Sequence, residues 1–166
     1  MPTQHTFGQI VKDYQRFKKS LPRAIGTEAV NFAKDNFRKQ GFQDVGVKRW
    51  RKRKPGSNRN RGRAILVDTG KLKRSIRITR ITRTQVHIGS NVEYAQVHNE
   101  GLRVSGSANV RSHRRTTRTG ARTRVRAHTR RVNFRMPKRQ FIGPSKELDR
   151  RIQKYIRKSL LRVFNA

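Results

Sequence analysis

Apolar residues recur along this chain at two different spacings, and each predicts a different kind of element. Phe7, Ile10, Tyr14, Phe17 and Leu21 follow one another three or four residues apart, which makes one stripe of a helix. Thr6 and Gln9 ahead of it have capping-box spacing. Pro22 interrupts the stripe, with Ser20 as the cap of a second helix running to about Gln40. Ile25, Ala29, Phe32, Ala33 and Phe37 face inward there, and Gly41 closes it in the left-handed conformation. The apolar run Ile65-Leu66-Val67 is broken by Asp68-Thr69-Gly70. Asp68 or Thr69 caps a short helix that sets Leu72 and Ile76 on one face. From Arg74 the spacing becomes two: Ile76 and Ile78 point one way, Arg77 and Thr79 the other. Thr82–Gln85 is a polar hairpin connection, Val86 and Ile88 belong to a return strand, and Gly89-Ser90-Asn91 ends it. Tyr94, Ala95 and Val97 suit a helical turn packing back on the sheet, closed by Gly101. Phe141 and Ile142 read as a strand. Pro144-Ser145 opens a last helix with Leu148, Ile152, Tyr155, Ile156, Leu160 and Val163 inward and a basic outer face.

Two segments break this pattern. Of the sixteen residues 48–63, nine are Lys or Arg, among them Arg49, Arg51, Lys52, Arg53 and Lys54, interleaved with Pro55, Gly56, Ser57 and Asn58. Such a stretch cannot build a core and reads as an exposed loop. Trp50 within it either anchors the loop on the helix or offers a stacking platform to a base. Residues 102–135 hold eleven Arg, no Lys and no acid. There Val110-Arg-Ser-His113 recurs as Val125-Arg-Ala-His128, with Thr119-Gly120 between the copies. This predicts a long two-stranded arm folding back near Gly120, too polar to be stable alone. Arg in place of Lys favours bidentate contacts with phosphate or carboxylate. The polyanion- or partner-binding candidates are therefore the five basic residues of the loop together with Arg111, Arg114, Arg115, Arg118, Arg122, Arg124, Arg126, Arg130 and Arg131. The expected organisation is one α+β domain from residues 1–101 and 136–166. Helices at both ends pack on a small curved antiparallel sheet built from 65–101 and 136–142, and the arm is inserted at 102–135.

Composition sharpens this in two ways. The 166 residues are 32% hydrophobic, against roughly 45–50% for an ordinary domain, so the core is small for the length. Either part of the chain is extended, or neighbouring subunits complete the fold. The formal charge is +34, from 43 basic and 9 acidic residues. A chain so charged repels itself and attracts polyanions: nucleic acid first, an acidic protein surface or a membrane second. With no cysteine there is neither a disulfide framework nor thiolate chemistry. No apolar run approaches a membrane span, and the N-terminal residues lack the apolar core of a signal peptide. Cytoplasm, or a particle assembled in it, is the expected location.

Catalytic motifs find little support. Asp68-Thr69-Gly70 resembles an aspartic-protease loop, whose chemistry two subunits could complete, but Lys71 and Lys73 follow and capping accounts for the triplet. Gly70-Lys71 lacks the earlier glycine and the following Ser or Thr of a phosphate loop. His98, His113 and His128 are fifteen residues apart, too dispersed for a usual zinc site. No cofactor or metal is expected.

The order of "ILVDTGKLKRSI", "VHIGSNVEYAQVHNEG" and "MPKRQFIGPSKELDRRI", with "NFRKQGF" and Trp50 upstream, resembles the phage virion morphogenesis family, the tail-completion proteins of tailed bacteriophages. The resemblance spans roughly residues 30–152. It implies a structural virion protein of the phage neck, at the junction of tail and head. Its subunits would form a homo-oligomeric ring, often six-fold, around the channel that DNA crosses, touching neighbouring neck and tail proteins. It supplies no catalytic residues. The rival class is a nucleic-acid-binding protein of ribosomal or chromatin type; a purified ring that joins tail structures, or a monomer bound to RNA, would separate the two.

Overall fold

The computed structural model describes residues 6–53 and 62–164. Helix α1 (Phe7–Lys39) is continuous through Pro22, so the predicted break at residues 20–22 does not occur. Proline in a helix interior costs about 3 kcal/mol. Here contacts on both flanks offset it: Tyr14 meets Phe164 before the proline, and Asp35 meets Arg151 after it. Ser20 is no cap; its hydroxyl donates back to the Phe17 carbonyl at 3.0 Å. The Thr6–Gln9 capping box does not form either, because the Gln9 amide turns to Asp13. The left-handed residue that ends α1 is Gln40 (φ 53°), one place before the predicted Gly41. Gly41 instead starts β1 (Gly41–Gln43), which pairs with β2 (Val47–Arg49). Neither strand was expected, since three residues leave no period to read.

After residue 62 come α2 (Lys71–Ser75), the hairpin β3 (Arg77–Ile81) and β4 (Val86–Gly89), and α3 (Tyr94–Glu100). The hairpin turn is the predicted Thr82–Gln85, Ile78 faces Ile88 across it, and Gly101 (φ 74°) closes α3. Ala33, Phe37, Trp50, Leu72, Ile76, Val92, Ala95 and Phe141 form the core. The fold is α+β, but β3–β4 stands as a two-stranded sheet and residues 136–142 form no strand. Side-chain amides take over that segment's backbone bonding. Asn99 Oδ1 accepts both the Phe141 and Ile142 N–H groups at 2.9 and 3.0 Å. The fully buried Asn36 donates to the Phe141 carbonyl and accepts from the Gln43 backbone. With these groups satisfied by amides, and the Met136 and Arg139 N–H groups by the Leu102 and His98 carbonyls, the chain runs past the hairpin without pairing to it.

Helix α4 (Lys146–Phe164) begins as predicted, with the Ser145 hydroxyl accepting the Leu148 N–H at 3.2 Å. It runs antiparallel along α1, with Leu148 and Ile152 lining one groove with Val86 and Ile88 of β4. Arg151 ties the two, reaching Asp35 at 3.0 Å, Glu147 at 3.0 Å and Glu28 at 3.7 Å while lying over Phe32. No residue of α4 is fully buried. The far end of the pair leaves Phe7 (82% exposed), Leu161 and Phe164 in solvent.

Candidate functional site

Residues 103–135 form a two-stranded ribbon that turns over at Thr117–Ala121. Strand β5 (Arg103–Val110) pairs antiparallel with β8 (His128–Arg135), and β6 (His113–Thr116) with β7 (Arg122–Val125). Both ladders share one register: Val110 faces His128, and three steps on His113 faces Val125. The repeated motif is what interrupts them. Arg111-Ser112 and Arg126-Ala127 lie opposite each other without pairing. Each following histidine bonds through Nδ1 to the arginine carbonyl two residues back, at 3.0 Å for His113 and 2.9 Å for His128. The repeat thus builds a kink with local two-fold symmetry.

Alternation sorts the β5–β8 ladder into two faces. Val104, Ala108, Val110 and Val132 are half-buried on one face, joined by the more exposed Phe134. Arg103, Ser107, Asn109, Arg131 and Arg135 occupy the other. Arg111, Arg114, Arg115, Arg118, Arg122, Arg124, Arg126, Arg130 and Arg131 are all exposed. Directly facing arginines are confined to Arg103–Arg135 and Arg114–Arg124; elsewhere Arg faces Ser, Ala or Thr. Among the described residues no arm arginine is paired to a carboxylate. Arg103 and Arg135, facing each other at the root, add to the same basic surface; they lie outside the repeat, whose spacing does not mark them.

The basic loop behaves differently. Arg49 lies on β2 and donates to the Lys39 carbonyl at 2.9 Å, closing the end of α1. Arg53 donates to the Arg63 and Ala64 carbonyls, both at 2.9 Å. Arg51 and Lys52 are exposed, and Lys54 lies outside the described residues. Trp50 is only 5% exposed. Its indole N–H donates to the Gln140 carbonyl at 2.8 Å and its ring stands edge-on to Phe37, so it anchors the loop and cannot stack a base.

The catalytic alternatives do not assemble. Asp68 neither caps α2 nor meets another carboxylate: it pairs with Arg63, and Gly70 takes the N-cap position. Thr69 Oγ1 accepts the Lys71 N–H only at 3.4 Å. The described residues contain no cluster of three or more metal-ligating side chains. No described helix is long and apolar enough to cross a membrane.

The chain is thus a small α+β domain that extends a basic ribbon and leaves apolar side chains exposed at one end of its helix pair. A family model, the phage virion morphogenesis family, matches residues 2–161, and the chain belongs to that family. No curated protein and no solved structure gives a significant match. The family assigns the chain a structural or assembly role in the phage virion.

Proposed function

We propose that the protein is a non-enzymatic component of the phage neck. It completes the tail and joins it to the head as a homo-oligomeric ring, six-fold by the family's usual pattern, around the DNA channel. The observation that carries this reading is the ribbon. Among the described residues no carboxylate pairs with its eleven arginines, and its apolar strip stays half-buried or exposed, which favours a complement outside the subunit. Phe7, Leu161 and Phe164, exposed at the far end of the helix pair, are a second surface for neighbouring copies or neck and tail proteins. The ribbon's partner is then channel DNA or an acidic protein surface. Mass measurement and particle imaging of isolated necks test the proposal. A closed ring of this chain between tail and head is expected; a single copy per particle, or a location elsewhere in the virion, would overturn it.

A further inference from the structure

The side chain least explained by the fold is Arg139. It is 8% exposed, and among the described residues its side-chain hydrogen bonds go only to the Arg51 carbonyl, from Nε at 3.4 Å and Nη2 at 3.2 Å. All nine acidic side chains of the protein lie among the described residues, and none pairs with it. The charges acting on it are Arg53 and Arg51, of its own sign; with burial as the larger cause, they push its pKa down. Beside it, His98 Nδ1 is buried with no partner among the described residues. Burial, and then Arg139, lower the His98 pKa as well. Both side chains line one cavity of about 230 Å³ whose apolar wall includes Leu66, Leu72 and Tyr94. Leu66 holds a left-handed conformation there (φ 58°), strain that a non-glycine residue keeps only where its surroundings impose it. Asp68 also lines the cavity, but its carboxylate is taken by Arg63.

A buried guanidinium without a counter-ion is costly, and an acceptor with two oxygens is what its fork geometry fits. We propose that this cavity is a carboxylate socket. It receives an aliphatic acid presented by another protein, the carboxylate on Arg139 and His98 and the methylene stem against Leu66, Leu72 and Tyr94. The volume, on the order of seven waters, suits a Glu side chain or an apolar chain end. A backbone phosphate of DNA, flanked by two sugars, has no slender stem with which to reach a recessed arginine. The socket stands apart from the ring reading, since it requires only a carboxylate and holds for any assembly that supplies one.

The test is nuclear magnetic resonance of the full-length protein, following the His98 ring and the Arg139 Nε–H while small probes are added. Butyrate is expected to shift both signals saturably. Butyramide, with the same stem and no charge, is expected to leave them in place, and inorganic phosphate, which has no stem to place on the apolar wall, to shift them less than butyrate does. Acetyl-Ala-Glu-Ala-amide and acetyl-Gly-Gly-Leu with a free C-terminus then tell a side-chain carboxylate from a chain end; a response to either supports the socket. Arg139→Gln should weaken butyrate binding at least about tenfold, as expected for a lost charged hydrogen bond. Should that variant fail to fold, the butyrate–butyramide comparison on the unaltered protein still decides. Equal response to butyramide, a response to phosphate in place of butyrate, or no response to butyrate would each overturn the proposal.

Discussion

Gly101 joins the arm to the domain, and its demands are visible atom by atom. Its φ of 74° ends α3, and a Cβ built on it would stand 2.8 Å from the Lys138 backbone nitrogen. Conformation and space are separate requirements, so two substitutions distinguish them. Asn tolerates the left-handed region but still carries a Cβ. Gly101→Ala and Gly101→Asn are therefore both expected to destabilise by about 2 kcal/mol or more; recovery with Asn in urea unfolding would mean that the conformation alone matters. His98 supplies a pH signature. Its pKa is lowered from 6.5 in the folded protein, so between that lowered value and 6.5 the unfolded chain binds more protons. Stability is full above pH 6.5 and falls as pH drops from there toward the folded value; His98→Gln should flatten that part of the stability profile. The glycine at 101 and the core positions Leu72 and Ile76 were legible from spacing alone. Asn36, Gln40 and Asn99 were not, because an amide that replaces a strand's hydrogen bonds carries no periodic signal.

The elements were legible in proportion to their length. Nineteen and thirty-three residues repeat a helical period several times, so α4 and both halves of α1 stand out. The sequence placed a break at Pro22 because local propensity disfavours proline there, while long-range packing on both sides keeps the helix whole. The one-sheet expectation failed for the same kind of reason: alternation in residues 76–88 reports a hairpin but not what pairs with its edges. The helix pair depends on a charged clasp. Burial alone would lower the Arg151 pKa, yet its hydrogen bonds to Asp35 and Glu147 outweigh that and raise it. Those from Arg151, then Arg150, depress the Glu147 pKa below its ordinary 4.5. Glu147's contribution is accordingly present above pH 4.5 and lost as pH falls through the depressed folded value. Arg151→Met keeps the stem over Phe32 but leaves Glu28, Asp35 and Glu147 facing one another. A loss of about 1–2 kcal/mol in thermal or urea unfolding is expected. The loss should shrink in acid, where the carboxylates are neutral; a pH-independent loss would assign the effect to packing.

At the scale of the whole molecule the question is how a domain with so small a core carries thirty-four residues of ribbon. Ordering backbone costs roughly 1–2 kcal/mol per residue. Against this the ribbon sets two short ladders of hydrogen bonds and a single apolar strip of Val104, Ala108, Val110, Val132 and Phe134. Charge opposes it further, though less than eleven arginines suggest, since directly facing pairs are limited to Arg103–Arg135 and Arg114–Arg124 and like charges destabilise most when directly opposite. The ribbon is thus expected to open readily in the free subunit and to gain its stability from a neighbour that covers the strip and neutralises the arginines. Amide exchange should show weak protection over residues 103–135 in the isolated protein and strong protection after assembly. Equal protection in the two states would mean that the ribbon orders itself. Deleting residues 105–132 should leave a folded domain that assembles poorly, because the core residues all lie outside the deleted segment. Salt then identifies the partner. Binding to DNA phosphates should weaken with a log–log slope of about −0.9 for each phosphate neutralised and be tolerant of sequence. Docking on an acidic protein surface should depend less steeply on salt, and removing the apolar strip with Val132→Ser and Phe134→Ser should weaken it while leaving DNA affinity unchanged.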